Sequence, residues 1–228
     1  MTHNVTLIPG DGIGPEITDA AVRVIEATGV RIDWDRVEVS ADIIRQTGES
    51  IPTAAVKSLE TTRLGLKGPV TTPVGGGFQS VNVALRKKFE LYANVRPVKT
   101  VPGIKTRFSE TPIDMIIFRE NTEDLYSGLE HEVVNDVVTS LKVITRTASI
   151  KIAKAAFLWA KQHGRKKVVA IHKANILKKA DGLFLKCCRE VAEVNPQVAY
   201  SEMIVDNASM QLVSKPEQFD VLLLPNLY

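Results

Sequence analysis

Short apolar runs alternate with longer amphipathic ones along this chain. Runs rich in Val, Ile and Leu predict strands at residues 5–8, 32–39, 64–66, 113–118, 167–172, 198–205 and 221–224. Several are continuously apolar, as in strands buried on both faces. Helical patterns lie between them. Residues 15–28 open with Pro15 and Glu16, suited to a first turn, and Gly29 follows the end. Residues 149–162 place Ile150, Ala153, Phe157 and Ala160 on one stripe, and Gly164 stops the pattern. Residues 181–194 end before Asn195-Pro196. Strand and helix in alternation predict an α/β fold with a mainly parallel sheet. Residues 130–145 break the pattern. They are rich in Val and Thr, with Asn135-Asp136 as a turn, and read either as an ordinary surface hairpin or as an arm between subunits.

Composition narrows the class. The chain has 228 residues, 44% of them hydrophobic, enough to fill a core and exclude disorder. Its only cysteines, Cys187 and Cys188, are adjacent, which excludes a disulfide scaffold; on a helix they read as core. No apolar run approaches the roughly 20 residues of a membrane span. The first residues, MTHNVTLIPG, lack the basic-then-apolar pattern of a secretory signal. A net charge of +3 is too small to argue for nucleic acid. The expectation is a cytoplasmic globular protein that binds neither nucleic acid nor membrane. Two asparagines, Asn4 and Asn207, match the glycosylation pattern, but such short matches occur by chance.

In open α/β sheets, ligands sit beyond the carboxyl ends of the strands. Polar residues recur there: Gly10-Asp11-Gly12, Lys67-Gly68, Arg119-Glu120-Asn121, Lys173 with Asn175, and Asp206-Asn207. Any one suits an ordinary loop; the repetition points to a shared cleft. Gly10-Asp11-Gly12-Ile13-Gly14 misses the dinucleotide spacing, and the Gly-rich run 67–77 lacks the GK[ST] ending of a phosphate loop. At residues 80–86 the sequence SVNVALR predicts a helix start with Ser80 as N-cap. Val81, Ala84 and Leu85 share one face, Asn82 and Arg86 another. Hydroxyl, amide and guanidinium there suit a carboxylate, though a capped surface helix would look the same. Arg86, Arg96 and Arg119 are forks able to bind carboxylates in pairs of hydrogen bonds. Tyr126 and Lys173 are candidate acids or bases, and Asp206 suits Mg²⁺ or Mn²⁺.

The stretches IPGDGIGPE (8–16), KGPVTTP (67–73), LYANVRPVK (91–99), FRENTEDLYSG (118–128), HKANILKKADGLF (172–184) and VDNASMQLV (205–213) span the chain in order. Together they resemble the isocitrate and isopropylmalate dehydrogenase family, closest to its NAD-type isocitrate branch. Ser80 and Asn82 fit that branch; apolar residues there would be expected for isopropylmalate. The resemblance implies that family's fold: an incomplete large domain whose N-terminal part is residues 1–95, and a small domain at 96–228 with its clasp or arm near 130–145. It implies metal-dependent oxidative decarboxylation of isocitrate to 2-oxoglutarate and CO₂, the tricarboxylic acid cycle reaction, with hydride passing to NAD or NADP, NAD favoured, and Mg²⁺ or Mn²⁺ bound.

By the same resemblance, Ser80, Asn82, Arg86, Arg96 and Arg119 bind substrate, Tyr126 and Lys173 are catalytic, Thr72 and Asn175 lie near the cofactor, and Asp206 holds the metal. The family's matches to Lys173, Asn175 and Asp206 act in the partner subunit's site, which implies a homodimer or hetero-oligomer. Alternatives are a relative acting on homoisocitrate, isopropylmalate or tartrate, and a noncatalytic regulatory subunit. Family members continue past the match to Tyr228 with further metal-binding aspartates and the adenosine loop, so these 228 residues are expected to be a fragment with little turnover alone.

Overall fold

The computed structural model describes residues 1–71 and 80–228. The chain divides into two compact units, Met1–Lys88 and Phe89–Tyr228.

In the first unit the order is β1 (Thr2–Ile8), α1 (Gly14–Ala27), β2 (Arg31–Arg36), α2 (Ala41–Thr47), α3 (Thr53–Thr62), β3 (Gly65–Lys67) and α4 (Val81–Lys88). The strands make a parallel sheet ordered β2-β1-β3. β1 is central and buries Val5, Leu7 and Ile8. Its buried Thr6 places Oγ1 2.6 Å from the Ser58 hydroxyl and 2.7 Å from that of Thr62, tying the sheet to α3. The pattern between 40 and 62 hid two helices. Ser40 caps α2 by accepting from Ile43 N, and Gly48 closes it at φ +71. α3 ends at Arg63 with φ +55, a left-handed cap without the glycine that would have signalled it.

The second unit runs β4 (Ala93–Lys99), β5 (Asp114–Glu120), β6 (Glu130–Val134), β7 (Val137–Ser140), α5 (Arg146–Gln162), β8 (Lys167–His172), α6 (Ala180–Glu193), β9 (Ala199–Ile204), α7 (Val205–Ser214) and β10 (Val221–Leu224). Five strands form a sheet ordered β4-β5-β10-β8-β9, parallel except for the antiparallel edge β4. β4 was not legible as a strand, because Pro97 interrupts it; an edge position tolerates proline. Its pairing with β5 from Ala93 to Lys99 puts β4 in the second unit. Residues 130–145 contain an antiparallel hairpin, β6 and β7, that turns at Asp136 with φ +64.

The core of this unit lies between the sheet and α5 and α6: Ile152, Ala153, Ala156, Phe157 and Ala160 meet Val168, Ala170, Phe184, Cys188, Val221 and Leu223. The α5 stripe is rotated from the expected one, since Ile150 is only partly buried and Ile152 and Ala156 take its place. Both cysteines are buried free thiols, and burial pushes both pKa values up, as core residues require. No described helix is long and apolar enough to cross a membrane.

Candidate active site

Four parallel strands, β5, β10, β8 and β9, deliver their carboxyl ends to one edge of the second sheet. Arg119 sits at the end of β5. The antiparallel register sets Asn94 opposite Arg119 and Arg96 opposite Ile117. Arg96 and Arg119 are therefore diagonal neighbours on one face. They line one cavity of about 270 Å³, with Ile117, Ser209 and Tyr228 in its wall. Each fork is held from one side. Arg96 Nε donates to Asn94 Oδ1 at 2.9 Å, and Arg119 Nε donates to the Asn226 carbonyl at 2.6 Å.

Tyr126 belongs to a short 3₁₀ turn, Leu125–Ser127, just past β5. Its ring lies beside Arg119, with the guanidinium carbon 5.4 Å from the ring centre. The segment before it is braced by buried carboxylates. Glu120 accepts from Thr122 N and from Glu123 N at 3.0 Å. Glu123 accepts from Thr145 N at 2.9 Å, and burial holds its carboxyl above the usual range.

Lys173 follows β8, and its ammonium is ion-paired to Asp206. Asp206 was expected in a loop after a strand reaching residue 205. β9 instead ends at Ile204, and Asp206 opens the first turn of α7, where its charge suits the helix N-terminus. Asn175 is exposed on the turn that begins at Lys173. β10 separates β5 from β8, so the arginine–tyrosine group and the lysine–aspartate pair stand about two strand spacings apart, roughly 10 Å.

The first unit carries the other candidates. Ser80 precedes α4, and its carbonyl accepts from Ala84 N at 2.9 Å. Val81, Ala84 and Leu85 are buried as expected, Asn82 is exposed and Arg86 partly so. Thr72 lies outside the described residues. The loop just before it is fixed: Asp11 Oδ1 accepts from Thr71 N at 2.7 Å and from Thr71 Oγ1 at 2.6 Å, while Oδ2 accepts from Ala41 N at 2.8 Å. Burial lowers the pKa of Lys67, whose ammonium donates to the Gly68 carbonyl.

Within the second unit the structure thus brings Arg96, Arg119 and Tyr126 together, and Lys173 with Asp206. Sequence reasoning named Glu120 only as a polar residue at a strand end and missed Glu123, Asp124, Lys142 and Asp181, which brace these groups. The density of acids in FRENTED was the one available signal, and it could not show that they are buried.

Among the described residues no three His, Cys, Asp or Glu side chains gather to hold a metal ion. Asp206 offers one carboxylate, and one of its oxygens is already paired with Lys173.

Guanidiniums, a phenol and a paired ammonium thus gather at the head of an α/β sheet. The chain matches the isocitrate/isopropylmalate dehydrogenase family model over residues 4–228, and it belongs to that family of dehydrogenases. It is 53% identical over 223 residues to the mitochondrial isocitrate dehydrogenase [NAD] catalytic subunit 5 of Arabidopsis thaliana, covering 98% of this chain and 59% of that one. It is 51% identical over 223 residues to the chloroplastic 3-isopropylmalate dehydrogenase of Solanum tuberosum, covering 98% and 62%. The crystal structure of isocitrate dehydrogenase from Methylococcus capsulatus superposes with a TM-score of 0.92 at 48% identity, covering 99% of this chain and 67% of that one. The chain thus spans about three fifths of the curated relatives' length. Their names correct the expected cytoplasmic location: the isocitrate dehydrogenase relative is mitochondrial.

Proposed function

We propose that this chain is part of an NAD-dependent isocitrate dehydrogenase, oxidising isocitrate and releasing CO₂ to give 2-oxoglutarate. The observation that carries the reading is the pairing of Arg96 with Arg119 on one strand face, with Tyr126 beside Arg119. Isocitrate bears three carboxylates. Two forks on one face, each with outer nitrogens beyond its Nε bond, suit such a charge better than single ammoniums do. Arg86, Ser80 and Asn82, on the first unit, are further substrate-binding candidates. Polar Ser80 and Asn82 favour isocitrate over isopropylmalate, whose alkyl group calls for an apolar wall.

Tyr126 is the proton donor to the carbon that loses CO₂, and Lys173 assists removal of the hydroxyl proton during hydride transfer. The Asp206 carboxylate keeps the Lys173 side chain in place and offers one oxygen to a divalent ion, whose other ligands come from outside the described residues. Such an ion would supply electrostatic stabilisation of the negative charge that develops on the substrate. Thr72 and Asn175 are assigned to the nicotinamide end of NAD. We read the first unit as the N-terminal part of a large domain, and the second as the small domain with β6–β7 as its arm. The protein works as a homodimer or hetero-oligomer whose sites draw on both subunits, and we extend to it the relative's mitochondrial location.

A substrate panel tests the reading. The intact protein is assayed with isocitrate, homoisocitrate, isopropylmalate and tartrate, with Mg²⁺ or Mn²⁺ and each coenzyme. Isocitrate turnover with NAD is expected. Preference for isopropylmalate overturns the substrate assignment, and tight citrate binding without turnover marks a regulatory subunit instead.

A further inference from the structure

A buried ionic cluster in the second unit lies behind the groups assigned above. Asp124 and Asp181 expose nothing, and the Lys142 side chain is 10% exposed. The Lys142 ammonium stands 2.8 Å from Asp181 Oδ1 and 3.5 Å from Asp124 Oδ2, and donates to the Tyr228 hydroxyl at 3.0 Å. That hydroxyl donates to Asp181 Oδ2 at 2.8 Å. Burial lowers the pKa of Lys142, but its bonds to Asp181 and Tyr228 and the charges of Asp124 and Asp181 together outweigh burial and hold the ammonium above its ordinary value.

The outward bonds of the cluster end on backbone. Asp181 Oδ2 accepts from Lys173 N at 2.6 Å. Asp124 Oδ1 accepts from Leu125 N at 2.8 Å, and its Oδ2 from Leu227 N at 3.2 Å. Lys142 is itself pinned by its neighbour, because Asp124 N donates to the Val143 carbonyl at 2.9 Å. One ammonium therefore joins three loops: the one after β5 with Tyr126, the one after β8 with Lys173, and the one after β10. Asp124 adopts φ +73, a backbone state that a non-glycine residue takes only where its surroundings enforce it.

Burying three charges costs more than a well-packed apolar cluster of the same volume would. Stability is thus a poor account of the cluster, and what its bonds do is fix the spacing of loop backbones. We propose that Lys142 is a positioning residue: its buried ammonium, shared between Asp124 and Asp181, sets the loop bearing Tyr126 against the loop bearing Lys173. The inference rests on the reading of Tyr126 and Lys173 as the groups that move protons.

The test uses the intact protein with Tyr228→Phe, Lys142→Met and Lys142→Arg. Tyr228→Phe removes one hydroxyl and keeps the ring, so it remains informative if Lys142→Met does not fold. Amide exchange at Leu125, Lys173 and Leu227 should rise about tenfold or more in Tyr228→Phe and Lys142→Met, with α5 and β8 unchanged. In Lys142→Met the kcat for isocitrate should fall about tenfold to a hundredfold with KM little altered, as expected when reacting groups are misplaced and not lost. Lys142→Arg should restore part of both. Unchanged exchange at the three amides, or an equal rise throughout the unit, overturns the proposal whatever the enzyme turns over. Absence of turnover in the unsubstituted protein overturns the functional reading alone, because the exchange result stands without it.

Discussion

The guanidinium of Arg119 packs beside the ring of Tyr126, its central carbon 5.4 Å from the ring centre, while its Nε is tied to the Asn226 carbonyl. Ring and hydroxyl of Tyr126 therefore have separable roles. The ring keeps the Arg119 fork in one orientation, and the hydroxyl is the proton donor proposed above. Tyr126→Phe retains the first and loses the second. Its kcat for isocitrate decarboxylation should drop about 10²- to 10⁴-fold while KM stays close to the parent's. Reduction of oxalosuccinate, which needs hydride but no proton at that carbon, should be spared. Arg119→Lys should show the opposite split, a raised KM, because an ammonium cannot present two parallel donors to a carboxylate. Steady-state kinetics of both variants checks this; equal loss of both activities in Tyr126→Phe would remove the phenol from its assigned role.

The turn that carries Lys173 is also tied to a titratable ring. His172 Nδ1 accepts from Ala174 N at 3.0 Å, so the bond needs the neutral ring. Burial lowers the pKa of His172 below its ordinary 6.5. Between that lowered value and 6.5 the unfolded chain binds more protons than the folded one, so stability falls as the pH drops through this window. Above it the ring is neutral in both states and contributes no slope. Urea midpoints measured from about pH 8 to about pH 5 should decline in the parent, and less steeply in His172→Gln. Parallel curves would show that the ring titrates alike in both states.

Much of this fold was legible because its central strands are continuous apolar runs. β8 and β10 need that composition, being covered on both faces, and their observed bounds match the expected ones. The edge strand β4 was not legible, because its exposed positions and Pro97 carry no such pattern. α2 and α3 were missed for a different reason: they are short, with burial confined to two residues each. At the site, Arg96 and Arg119 could be nominated from residue type, but their meeting depends on an antiparallel register that only the pairing of an unrecognised strand reveals. The Lys142 cluster was illegible in principle. A buried lysine and an exposed one look alike in sequence, and its partners lie 18 and 39 positions away.

The core of the second unit should respond to truncation in proportion to burial. Phe157 is fully buried on α5, and the next residue, Leu158, is 55% exposed. Phe157→Ala removes a ring from a close-packed cluster and should cost about 3–5 kcal/mol. Leu158→Ala on the same turn should stay within about 0.5 kcal/mol. Urea unfolding of the two variants supplies the contrast. A small effect at Phe157 would mean that α5 does not pack on β8 and β10 as described.

In the first unit the tightest constraint is Gly10. It sits at φ +81, and an added Cβ would lie 1.8 Å from the Pro69 carbonyl oxygen. Gly10→Ala therefore carries both a backbone penalty of about 1–2 kcal/mol and a clash relieved only by moving the loop after β3. That loop is the one Asp11 holds through Thr71. The expected result is a lowered melting temperature, with faster exchange at the amides of Thr71 and Ala41, whose acceptor is the Asp11 carboxylate. Unchanged exchange at those two positions would show that the two loops do not depend on one another.

The hairpin of β6 and β7 leaves Val133, Val134 and Val138 between 60% and 65% exposed, and Val137 at 47%. A two-stranded ribbon is marginal by itself in water, and four exposed valines in one turn region make an apolar surface of the kind that associates. Such exposure suits the arm of the proposed oligomer. Val138→Lys places a charge in the middle of this surface without touching the core, and should weaken self-association about tenfold or more by sedimentation. Val194→Lys, at an equally exposed position after α6, is the control and should leave association unchanged. A Val138→Lys protein that sediments like the parent would mean that the hairpin faces solvent and that the subunits meet elsewhere.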